Sequence, residues 1–192
     1  MLIVMKRAIL VYLFMVLSTA AFAQELKPEV NSNNATWKLE GAKGKAAKIE
    51  RFTERRLSNM NSVLFIYASM YTDLRTGSKE PYILVKIYQE GAYYSGVIDY
   101  DELPACLETL KHIINNEVTV SPGHYVDVVF TSRDEVAIGA IYDTSLSNVT
   151  WQSTVTLYNY PSRPSLRLPV KRLSEIVRIL QSAQELLTEK ME

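Results

Sequence analysis

The sequence predicts an α+β fold with an internal duplication: a ββββα unit given twice, forming two antiparallel four-stranded sheets and two long helices. Three observations carry this reading. The segments GVIDYDELPACLETLKHII (96–114) and SLRLPVKRLSEIVRIL (165–180) each run from a strand into an amphipathic helix, and an offset of seventy positions sets Leu103, Cys106, Leu107 and Leu110 on Leu173, Ile176, Val177 and Leu180. The tetrapeptide FTER at 52–55 returns as FTSR at 130–133. The stretches ahead of each helix alternate apolar and polar residues with the period of two that marks strands.

The first residues carry Lys6 and Arg7, then a short apolar run, then Ala21-Phe22-Ala23. This is the layout of a cleaved secretory signal peptide over 1–23, and the run is too short for a span of roughly 20 apolar residues. A periplasmic or secreted location follows as the expectation. Two of the 21 basic residues, Lys6 and Arg7, leave with that segment, so the remaining balance is 19 basic against 21 acidic, which does not steer the whole molecule toward a polyanion. One cysteine cannot form an internal disulfide, so stability must come from a hydrophobic core.

Residues 24–46 form a polar flexible leader, rich in Asn, Ser and Pro around an isolated Trp37. Within it, Asn34-Ala35-Thr36 matches a glycosylation acceptor pattern. Residues 47–192 form a single domain of two repeats, 47–116 and 117–192. In the first repeat, 47–55 opens the unit, RRLSNMNS (55–62) reads as a loop, and 63–72 alternates strictly. Turn residues at 75–78 lead to a strand over 82–89, and Glu90-Gly91 turns it into 92–98, an antiparallel meander. Asp99 or Asp101 can cap the following helix and Pro104 suits its first turn, with Asn115-Asn116 as its end. The second repeat reads as strands over 118–131, broken at Ser121-Pro122-Gly123, then 136–142, 149–159 and 165–168. Pro169 opens a last helix with the stripe Leu173, Ile176, Val177, Leu180, Ala183 and Leu187.

No constellation of residues identifies a reaction. Cys106 is the only thiol nucleophile a hydrolase could use, and it sits among leucines on the inner stripe of its helix. His112 and His124 do not form a short-spaced ligand pair, and Asp99, Asp101 and Glu102 lack the glycine turn and the later bidentate glutamate of a calcium loop. The expectation is therefore a non-enzymatic binding or assembly protein without a cofactor. Its one anomaly is aromatic. If Leu64, Ile66, Ala68, Met70, Ile83, Val85 and Ile87 face the core, the opposite face carries Phe65, Tyr67, Tyr71, Tyr82, Leu84 and Tyr88, with Tyr93 or Tyr94 nearby. Such a face needs a cover or a partner. The leader, the other unit or a second subunit would serve as cover. The functional reading is a ligand-binding platform of Phe65, Tyr67, Tyr82 and Tyr88 for a peptide, glycan or protein, or a homo-oligomer contact. The matching face of the second unit, with Gln152, Thr154 and Thr156, reads as bland.

The twice-given order of four strands and a helix, together with Lys43-Gly44-Lys45-Ala46-Ala47 before the first strand and SLRLPVKRLSEIVRIL at the end, resembles the whirly-type single-stranded DNA-binding fold. That resemblance implies two such sheets packed together with helices at their ends. It also implies nucleic-acid contact through Lys43 and Lys45, an alternative function to which export is opposed.

Overall fold

The computed structural model describes residues 46–145 and 149–192, which all fall in one compact unit. The expected signal peptide, the acceptor pattern at Asn34, and Lys43 and Lys45 lie outside the described residues. Strands β1 (Ala47–Ser58), β2 (Ser62–Asp73), β3 (Lys79–Gln89) and β4 (Ala92–Asp99) form one antiparallel sheet in that order. A 3₁₀ turn, Tyr100–Glu102, then leads into α1 (Leu103–His112). Strands β5 (Val126–Thr131), β6 (Val136–Tyr142), β7 (Trp151–Leu157) and β8 (Ser165–Pro169) form the second sheet, again in order. A second 3₁₀ turn, Val170–Arg172, precedes α2 (Leu173–Met191). The predicted duplication of a ββββα unit is the architecture of the chain.

Both helices bury the stripes that their spacing predicts. Leu103, Cys106, Leu107 and Leu110 of α1 are buried, and so are Leu173, Ile176, Val177, Leu180, Ala183 and Leu187 of α2. Burying the α2 stripe contributes roughly 8 to 15 kcal/mol gross, before chain entropy is subtracted. The helices are exchanged between the halves. Helix α1 packs against β5 and α2 against β2 and β3, so residues of both repeats share one core.

The exposed margins of the last strand in each sheet are sealed by the other half. On β4 the Tyr160 hydroxyl accepts from the Ser95 amide (3.2 Å) and donates to its carbonyl (2.9 Å). Next to it, Asp134 accepts from the Val97 amide (2.8 Å) and the Ser132 hydroxyl donates to the Val97 carbonyl (2.9 Å). On β8 the Gln89 side chain accepts from the Ser165 amide (3.0 Å), while Ser62 and Asn59 donate to the carbonyls of Ser165 (3.3 Å) and Arg167 (3.1 Å). Unpaired edge groups invite association with other chains, and these side chains remove the invitation at two of the four edges.

Three boundaries differ from the sequence reading. Helix α1 does not stop at Asn115-Asn116 but widens into a π turn, Ile113–Glu117, because the Asn116 side chain donates to the His112 carbonyl (3.1 Å) and occupies a group the regular ladder would use. Turn residues after it and the Ser121-Pro122-Gly123 segment take up residues 118–125, so the fifth strand begins only at Val126. The expected 55–62 loop is mostly strand. Strand β1 continues to Ser58, past a bulge between Arg51 and Thr53, and Asn59 closes a tight turn by accepting from the amides of Asn61 (2.8 Å) and Ser62 (2.7 Å).

Candidate functional site: an aromatic rail on the first sheet

Register fixes which side chains meet on the outer face of the first sheet. One row across the strands is Arg56, Phe65, Lys86 and Ser95; the row beside it pairs Tyr88 with Tyr93; the row on the other side runs Glu54, Tyr67, Leu84 and Val97. The rings touch in sequence. Tyr67 and Phe65 stack with centroids 6.3 Å apart, Phe65 and Tyr93 lie at 6.3 Å, and Tyr93 and Tyr88 at 4.9 Å. Aromatic pairs within about 7 Å attract beyond their buried area. The result is a rail of four rings crossing β2, β4 and β3.

Cations lie over three of those rings. Arg51 is 5.8 Å from the centroid of Tyr67, Arg56 is 5.7 Å from that of Phe65, and Lys86 is 4.8 Å from that of Tyr93. Such contacts contribute about 0.5–1 kcal/mol each at exposed sites and hold long side chains flat on the rings. The Tyr67 hydroxyl is pushed up by burial and by the Glu54 carboxylate facing it across the strands. The outer end of the rail is open: Tyr93 is 62% exposed and Tyr88 37%.

Of the residues the sequence nominated, Phe65, Tyr67 and Tyr88 belong to this rail, with the first two half-buried. Tyr82 does not. It faces the same side but is only 2% exposed, in a row between Ser69 and the buried Asp99, and it packs with Tyr71 and Val97 in a separate apolar cluster. Burial pushes its hydroxyl up in turn. Strand alternation gives the face of a residue but not whether that part of the face is closed, which depends on groups far away in sequence. Tyr93 replaces Tyr82 as a member of the rail. Tyr94 points inward, edge-on to Tyr160 at 5.1 Å. Sequence reasoning sees Arg51 and Arg56 only as part of a basic cluster, not as cations over these rings. Placing Arg51 and Arg56 on the aromatic side required the bulge in β1, which changes side-chain parity between them.

The other nominated groups are structural in their surroundings. Cys106 is fully buried, and burial, helped by Glu102, pushes its thiol up to about 12, leaving it protonated at neutral pH. The acidic cluster encloses a cation. Arg133 pairs with Asp99 (3.1 Å), Asp101 and Glu102 (3.6 Å), and its amide donates to Glu102 (2.8 Å). Asp99 and Glu102 also form a reciprocal capping box at the 3₁₀ turn. Among the described residues no three His, Cys, Asp or Glu side chains gather as a metal site, and no helix is long and apolar enough to cross a membrane.

No family model matches this chain, and no curated protein does. Flat apolar faces, polar hydroxyls and fixed cations on one open surface can hold an extended partner by stacking and by charge-assisted hydrogen bonds.

Proposed function

We propose that this is an exported, non-enzymatic binding protein that holds a peptide, glycan or protein partner on the aromatic rail of its first sheet. The observation that supports this reading is the contact between four rings, Tyr67, Phe65, Tyr93 and Tyr88, on a face whose outer end is open. Aromatic anchors of this kind supply large contact area at small cost in side-chain entropy. The test is titration of the immobilised chain with panels of glycans and of acidic and neutral peptides, with sedimentation to read self-association. Replacing Tyr88 and Tyr93 together with Ser should weaken binding by about 2 kcal/mol, close to thirtyfold, while the chain still melts cooperatively. Equal binding by the variant, or no binder and no self-association at all, overturns the proposal.

One observation favours a second reading, a single-stranded nucleic acid: Arg51, Arg56 and Lys86 stand over the rings, as in surfaces that combine base stacking with phosphate neutralisation. Three phosphates neutralised at about 0.7 each would give a slope near −2 in log K against log salt. A flat salt dependence removes this reading and leaves the first.

A further inference from the structure

The outer face of the second sheet, which the sequence presents as bland, is concave. Its floor is formed by Ile141 of β6 and by Thr154 and Thr156 of β7, and Ala137 and Gly139 lie on the same side of β6, alternating with core residues. A side chain at Gly139 would stand 2.1 Å from the Val128 carbonyl oxygen and 2.7 Å from the Val129 Cα. The backbone of β5 therefore leans over this face, and only glycine lets it come so close. At the far side the loop after β7 rises as a second wall. It is pinned by the Leu157 amide donating to the Pro164 carbonyl (3.1 Å) and the Arg163 amide donating to the Tyr160 carbonyl (2.9 Å). Arg163 takes the left-handed conformation, φ 44°, which non-glycine residues seldom adopt and which clusters at functional sites. Between these walls lies a cleft of about 190 Å³.

Two opposite charges open onto that cleft without meeting. Asp127 stands on the β5 wall and Arg163 on the loop wall, its guanidinium 5.7 Å from the Tyr158 ring centroid. Neither forms an ion pair among the described residues. Arg167, the other cation of the cleft, is held by Asp143 at 3.1 Å. The wall also burdens the Asp127 carboxylate: burial pushes it up, and Arg167 draws it part of the way back. On the floor, the buried hydroxyls of Thr154 and Thr156 share one hydrogen bond of 3.3 Å. Whichever donates, the other keeps an O–H for a ligand. Opposite charges on facing walls, with a spare donor between them, match a molecule that carries both signs.

We infer that this cleft binds a small zwitterion of the free amino acid class, its carboxylate on Arg163, its ammonium on Asp127 and a polar atom on the threonine hydroxyls. The site is independent of the aromatic rail. It is tested by amide-resolved NMR of the full-length chain with each common amino acid at millimolar concentration. Acetate, methylammonium and glucose serve as comparators, each lacking at least one of the two charges. At least one amino acid should shift the amides of Thr154, Thr156 and Tyr158 saturably, and the comparators should bind at least about tenfold more weakly. Asp127→Asn and Arg163→Gln should each cost about tenfold, Arg163→Lys should retain binding, and the serine pair at Tyr88 and Tyr93 should leave it unchanged. Absence of any shift with all amino acids, or acetate or glucose binding as tightly as the best of them, overturns the inference. So do shifts confined to the first sheet.

Discussion

Arg133 is the residue on which the junction between the two halves can be broken most cleanly. Arg133→Met keeps most of the side-chain volume and removes the charge that faces Asp99, Asp101 and Glu102. Asp99 is 2% exposed, so its carboxylate stays in a poorly solvated position without its arginine. Breaking a buried pair by removing one partner costs about 3–5 kcal/mol. The Arg133 side chain is 36% exposed, so water screens part of that loss and the expected cost falls to about 2–3 kcal/mol. For a domain of this size that lowers the melting temperature by roughly 5–10 °C. Urea denaturation would read it directly, as a lower midpoint with an unchanged slope. Adding Asp99→Asn should return most of the loss, because it removes the charge that Arg133 offsets. A cost below about 0.5 kcal/mol, the range of an ordinary surface substitution, would refute the reasoning, as would a double variant no more stable than the single one.

Gly139→Ala would place a Cβ against the backbone of Val128 and Val129, which cannot rotate aside, and should destabilise by at least about 2 kcal/mol in the same urea titration. Cys106 should resist thiol reagents in the folded protein and react at once in denaturant, since it is buried and its thiol is pushed up to about 12. Asp73 is held below the usual carboxylate range by the backbone amides of Arg75 and Thr76, and Asp143 by Ser145 and Arg167. A lowered folded value means that their stabilisation is present at neutral pH and is lost as pH falls through the ordinary aspartate range and below. Glu102 acts in the opposite sense, its raised value favouring the fold more when it is protonated. Melting curves against pH should therefore show an acid limb that flattens when Asp73 and Asp143 are both replaced by Asn.

What the sequence made legible is what local periodicity controls. The helical stripes from Leu103 to Leu110 and from Leu173 to Leu187 are buried residue for residue, and the 63–72 alternation sets Leu64 and Ile66 inward. The rail was half legible for the same reason: alternation put Phe65, Tyr67 and Tyr88 on one side. It could not show that the region around Tyr82 is closed, that the β1 bulge brings Arg51 and Arg56 over the rings, or that Tyr93 rather than Tyr94 completes the row. Each depends on pairing register. The second sheet misled most. Thr154 and Thr156 look solvated by pattern, yet both are buried. An isolated glycine inside the apolar strand VAIGAIY was the one available signal, since such a glycine marks a close approach of another backbone.

The exchange of helices and edge-sealing side chains between the halves has a consequence for how the protein comes apart. Neither repeat owns the parts that complete it. The first sheet needs α2, Tyr160 and Asp134, while the second needs α1, Asn59 and Gln89. A state with one half folded and the other unravelled would expose a sheet face and an open edge together, so it gains little over full unfolding. Melting should therefore be one cooperative event despite the twofold make-up of the chain. A single backbone cut in the connection at residues 118–125 would sever the covalent link between the repeats yet leave them clasped.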